Sequence, residues 1–153
     1  MKLRPIALLA LPLLVCAGAW GQAPKGAFKD KVKPGLYEVR TEADMGNMPG
    51  VPPDKKKQVT TRKECITAAS MDSFTEEKDR NCQTRDFRMT GGNASFQVVC
   101  KGNGEMTSNV TMTFKPSGYV TDSKVTMKPA SGPAINLSQH AESKYLGPCP
   151  KKQ

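Results

Sequence analysis

Apolar and polar residues alternate with a period of two along most of this chain. Over residues 36–43, Tyr37, Val39 and Thr41 share one side and Glu38, Arg40 and Glu42 the other, which is the pattern of a strand with one packed and one wet face. The alternation returns over 105–115, where Met106, Val110, Met112 and Phe114 oppose Thr107, Asn109, Thr111 and Thr113. It returns again over 119–128, where Tyr119, Val125 and Met127 oppose Asp122, Lys124 and Lys128. Residues 58–66 and 135–146 have strand character too. The stretch 82–100 reads as a hairpin about Thr90-Gly91-Gly92-Asn93, because glycine takes the positive φ of a tight turn and Phe87, Met89, Phe96, Val98 and Val99 suit a half-buried pleat. Prolines and glycines interrupt the pattern at 45–53, 115–118 and 129–133. Helical composition is confined to 67–81, with Thr67 or Ser70 as cap and Met71 and Phe74 as a short apolar face. These elements predict an all-β domain over 34–149: an antiparallel up-and-down meander, or a partly closed barrel, of about seven strands with one short helix.

The ends add a compartment. Lys2 and Arg4, the apolar run 6–19 and the small residues after it predict a signal peptide over 1–23, cut after Ala19 or Ala23. The destination is the periplasm or the exterior. Cys16 raises a lipid-anchored alternative, against which Val15 stands where a small residue is wanted. Residues 24–33 are basic and poor in apolar side chains, which predicts a flexible arm, and 150–153 form a basic tail. Removing the signal lowers the net charge from +9 to +7, since Lys2 and Arg4 leave with it.

It also leaves four cysteines: Cys65, Cys82, Cys100 and Cys149. An even count in an exported chain reads as two disulfides, and four cysteines allow three pairings. The hairpin favours Cys82 with Cys100, which leaves Cys65 with Cys149. In the chain-entropy account the shorter loop contributes about 3 kcal/mol and the longer about 4–5 kcal/mol. Against a net stability of about 5–15 kcal/mol, a domain short of Leu and Ile depends on such staples.

Pro34-Gly35-Leu36-Tyr37-Glu38, Met48-Pro49-Gly50, the cysteines at 65, 82 and 100, and Gly147-Pro148-Cys149 together resemble the secreted bacterial family called domain of unknown function 3617. Tyr37 departs from the tryptophan usual there, a conservative change at an aromatic position. The resemblance implies a small exported β domain of a Gram-negative envelope, and no activity, ligand or catalytic residue.

Methionine is the unusual component. Met45-x-x-Met48 in a loop has the thioether spacing that suits copper(I), whereas Met106, Met112 and Met127 read as flexible gap-fillers of a core poor in Leu and Ile. The basic charge lies in clusters without interleaved aromatics, which argues against nucleic acid. His140, the one histidine, has no nucleophile motif beside it, and no cysteine pair has redox spacing. The sequence therefore points to a monomeric, non-catalytic envelope protein that needs no cofactor and has no transmembrane span. Its partner is a hydrophobic or amphiphilic ligand or another envelope protein, and the alternative is a copper(I)-binding protein using Met45 and Met48.

Overall fold

The computed structural model describes residues 26–67, 70 and 81–150. The expected signal peptide, residues 24–25 of the arm, residues 151–153 of the tail and most of the expected 67–81 helix lie outside the described residues. Within that last stretch, Thr67 and Ser70 cap one another: the Ser70 N–H donates to Thr67 Oγ1 (3.1 Å) and the Thr67 N–H to Ser70 Oγ (2.8 Å).

Seven strands follow the alternating segments: β1 (Gly35–Asp44), β2 (Lys57–Ile66), β3 (Cys82–Thr90), β4 (Asn93–Gly102), β5 (Gly104–Lys115), β6 (Gly118–Pro129) and β7 (Ile135–Gly147). They form one sheet in the order β2-β1-β7-β6-β5-β4-β3, antiparallel throughout. The meander thus runs from β3 to β7 and continues through β1 to β2, which leaves β2 and β3 as edges. The sheet is open, and with an odd number of alternating strands the two edges run in the same direction. An all-antiparallel ring is therefore out of reach by pairing β2 directly with β3, and β2 ends at the opposite end of the sheet from where β3 begins. A single-turn 3-10 helix at Pro53–Lys55 interrupts the loop between β1 and β2.

The hairpin β3–β4 turns on Gly91 (φ 59°), with Thr90 opposite Asn93 and Cys82 opposite Cys100. Eight steps separate Cys82 from Thr90 but seven separate Asn93 from Cys100, so β3 carries one residue too many. The surplus is a bulge between Arg85 and Arg88, where Asp86 has φ 52°. This bulge matters because the side-chain period is two: without it Phe87 and Met89 would point away from the face that holds Cys82 and Thr84. With it, all four face inward.

The inner face carries the core. Tyr37 and Val39 from β1, Ile66 from β2, Ala94 and Phe96 from β4, Met112 from β5, Tyr119 from β6 and Ala141 from β7 are all buried in one cluster. The sheet curls about them. Tyr37 and Tyr119 lie two strands apart, which is roughly 10 Å in a flat sheet, yet their ring centroids are 5.7 Å apart.

No second sheet covers this face among the described residues; a turn over residues 26–32 does. The Val32 N–H donates to the Phe28 carbonyl and the Lys29 N–H to that of Gly26, each at 3.0 Å, and the turn places Phe28 (1 % exposed) and Val32 (4 %) in the core. Phe28 lies 6.0, 6.3 and 5.8 Å, centroid to centroid, from Phe87, Phe96 and Phe114. Tyr37 donates its hydroxyl hydrogen to the Lys33 carbonyl at 2.7 Å, and Lys33 Nζ lies 4.6 Å above the Tyr145 ring. The segment read as a basic, flexible arm is therefore docked, and the packed unit starts before residue 34. The lysines that dominate its composition stay at the surface, while two apolar residues one helical turn apart suffice to anchor it.

Two cysteine bridges complete the frame. Cys82–Cys100 joins β3 to β4 (Cα–Cα 3.9 Å), and Cys65–Cys149 (5.6 Å) links the end of β2 to the second residue after β7, spanning the intervening β1.

Replacing Phe28 by Ala is expected to lower the unfolding free energy by about 3–5 kcal/mol, measured by urea denaturation. Replacing exposed Lys29 or Lys31 by Ala should stay within about 0.5 kcal/mol. A Phe28→Ala loss no larger than that of the lysine variants would show that the turn is not part of the core.

Candidate ligand-binding site

The turn covers the half of the inner face that holds the aromatic residues. At the other end of the sheet, register brings Cys82, Cys100, Met106, Met127 and Ile135 into one continuous cross-strand row over five adjacent strands, β3 to β7. All five are only half-buried. Above them runs a second row, Val98, Ser108, Val125 and Leu137, also half-buried. No aromatic side chain lies in either row, whereas Phe28 and three further phenylalanines fill the other half.

The result is an open pocket of about 430 Å³, floored by Met106, Met127, Ile135 and the Cys82–Cys100 bridge. Lys101, Glu105 and Lys128 stand at its lip on β4, β5 and β6, with Glu105 opposite both lysines in register. The lip itself depends on Gly104, at φ 141°, where any Cβ would strike the Lys128 carbonyl and Pro129. The volume is within the roughly 300–1,000 Å³ of small-molecule sites.

Of the methionines expected to fill the core, Met112 does so (2 % exposed), while Met106 and Met127 line this pocket. The loop with Met45 and Met48 is fastened at the same end of the sheet. Asn47 donates from Nδ2 to the Ala134 carbonyl and accepts at Oδ1 from the Asn136 N–H, both at 2.7 Å, and Gly46 (φ 51°) lies so close to the Asn136 carbonyl that no side chain fits. The sequence does not reveal this juxtaposition, because strand parity gives each residue's face but not its neighbour in the next strand.

A second hollow of about 430 Å³ has Glu42, Asp44, Lys57, Asp122, Lys124 and His140 along its border. His140 is 2.7 Å from Asp122 through Nδ1 and 3.8 Å from Glu142 through Nε2. The hydrogen bond to Asp122 raises its pKa above the usual 6.5, with smaller help from Glu142. Its hydrogen-bonding partner is thus a carboxylate and not a hydroxyl or thiol awaiting activation. In the aromatic half, burial pushes the Tyr37 and Tyr119 phenols above 10.0. Among the described residues no three His, Cys, Asp or Glu side chains could jointly hold a metal ion, and no helix is long and apolar enough to cross a membrane.

His140 should titrate above 6.5 by proton NMR, and Asp122→Asn should bring it back toward that value. Because the folded pKa is the higher, the pair's contribution to stability is fully present below pH 6.5 and fades as pH rises through the folded value. Asp122→Asn should flatten that dependence; an unchanged His140 titration in this variant would contradict the assignment.

The comparison with known proteins adds the family. No curated protein and no solved structure matches the chain. The profile of the family described as "Protein of unknown function (DUF3617)" matches residues 32–149, a span that holds the seven strands, both cysteine bridges and the whole apolar pocket but begins after Phe28. The chain therefore belongs to the DUF3617 family.

Proposed function

We propose that this protein is a non-catalytic binding module of an extracytoplasmic compartment, and that it holds the alkyl chain of an amphiphile in the methionine-floored pocket. The observation that carries this reading is the half-buried row of Met106, Met127 and Ile135 beside the Cys82–Cys100 bridge, uncovered among the described residues, on the floor of about 430 Å³ of space. Apolar surface left open on one half of a face whose other half is sealed by aromatic packing is surface with a use. Unbranched thioether side chains adapt to a flexible chain better than a rigid wall does. The two cysteine bridges and the composition of residues 1–23 support an oxidising destination outside the cytoplasm.

A second reading is a copper(I)-binding protein. Its support is the fastening of Met45 and Met48 at the end of the sheet where Met106 stands opposite Met127.

Decanol, a neutral alkyl probe, should bind wild type and shift the Met106 and Met127 methyl resonances, and Met106→Gln/Met127→Gln should weaken it by about tenfold. Equal affinity in the variant would overturn the alkyl reading. For the second reading, copper(I) titration of Met45→Leu/Met48→Leu should show weaker binding than wild type, and equal affinity would end it.

A further inference from the structure

Strand β5 runs from the apolar pocket, at Met106, to Lys115 at the opposite end of the sheet, and that end is basic. Lys115 borders a hollow of about 330 Å³ together with Lys29, Lys31 and Lys33 of the docked turn, and Asp30 lines it as well. Four lysines from two distant segments of chain thus converge on one place. Packing holds them there: Phe28 and Val32 anchor the turn that carries three of them, the Tyr37 hydroxyl donates to the Lys33 carbonyl at 2.7 Å, and Lys33 Nζ lies 4.6 Å above the Tyr145 ring.

All four lysines are exposed. Among the described residues none of Lys29, Lys31 and Lys115 has a carboxylate within ion-pair distance, whereas Arg40, Arg62 and His140 each have one. An apolar residue stands at the same end. Leu146 is 43 % exposed, and only it and Val59 are large exposed hydrophobic residues among those described. Strand β1 skips it, because Tyr37 pairs with Tyr145 and Leu36 with Gly147, so that Leu146 is the extra residue of a bulge. Strand β6 does not reach it either, since its last pair with β7 joins Gly118 to Lys144.

We propose that this end of the sheet docks on the surface of an anionic phospholipid bilayer, with Lys29, Lys31, Lys33 and Lys115 against lipid phosphates and Leu146 at the acyl boundary. A planar surface meets an end of the molecule and not one face of the sheet, so residues on both faces can touch it. Lysine carries a compact charge on a flexible stem, which follows a fluid layer of headgroups, and clustered lysines are drawn to the negative potential of such a layer. An exposed aliphatic side chain at the same end suits the interfacial region beneath the phosphates. This docking does not involve the alkyl pocket, whose floor lies at the other end of β5.

Co-sedimentation with vesicles tests it on the intact protein. Wild type should bind vesicles of phosphatidylglycerol mixed with phosphatidylcholine, should leave phosphatidylcholine vesicles unbound, and should be released as salt is raised. Lys29→Gln/Lys31→Gln/Lys115→Gln, all at exposed positions, should weaken binding about a hundredfold and leave decanol affinity unchanged. Leu146→Ser should weaken it about fivefold. Equal binding to the two kinds of vesicle, or binding that the triple variant or Leu146→Ser keeps at full strength, would overturn the docking surface and leave the alkyl pocket standing. Release by inorganic phosphate at matched ionic strength would assign the lysines to a free anion and overturn it as well.

Discussion

A single sheet has two faces, and a stable domain must keep one of them dry. Here that task falls to one aromatic ring. Phe28 is inserted among Phe87, Phe96 and Phe114, on strands β3, β4 and β5, and it brings with it a turn whose next residues place Lys33 against Tyr37 and Tyr145. The burial of those rings is the main apolar contribution of the inner face, since the chain is short of Leu and Ile. The division of the inner face into a packed half and a more open half, among the described residues, follows from where that ring sits. The bridges act at the periphery: Cys65–Cys149 fastens edge strand β2 across β1, and Cys82–Cys100 fastens the other edge, β3, to β4.

Much of this frame was legible in the sequence. The strands lie where period-two alternation places them, within a residue or two at each end, and the Gly91-Gly92 hairpin sets Cys82 opposite Cys100. The bulge at Asp86 was legible in principle, since Phe87 and Met89 have the opposite parity to Cys82, and an inward face for all three requires an extra residue between them. The pairing of β1 with β7 was not, because it joins residues about a hundred positions apart and local alternation carries no information about such partners. The docked turn was obscured by composition. Lysine dominates residues 25–33, and the two side chains that decide their placement are Phe28 and Val32.

The candidate site was legible only in part, for a related reason. Strand parity placed Met106, Met112 and Met127 on the inner face, but their different surroundings depend on what covers each. Met112 lies in the core with Phe28, and the other two lie beyond the reach of the turn. Register across β3 to β7 then turns five separate residues into a row. Lys101 and Lys128, which look like scattered solvating charge along the chain, stand with Glu105 at the lip of that row.

The central claim is that the inner face is sealed at one end by Phe28 and open at the other over Met106 and Met127. Methionine oxidation by dilute peroxide, read residue by residue by peptide mapping, tests it directly. Met106 and Met127 should oxidise readily and Met112 should resist, and decanol should slow oxidation at the first two. Oxidation of Met112 as fast as that of Met106, or rates at Met106 and Met127 that decanol leaves unchanged, would contradict the account.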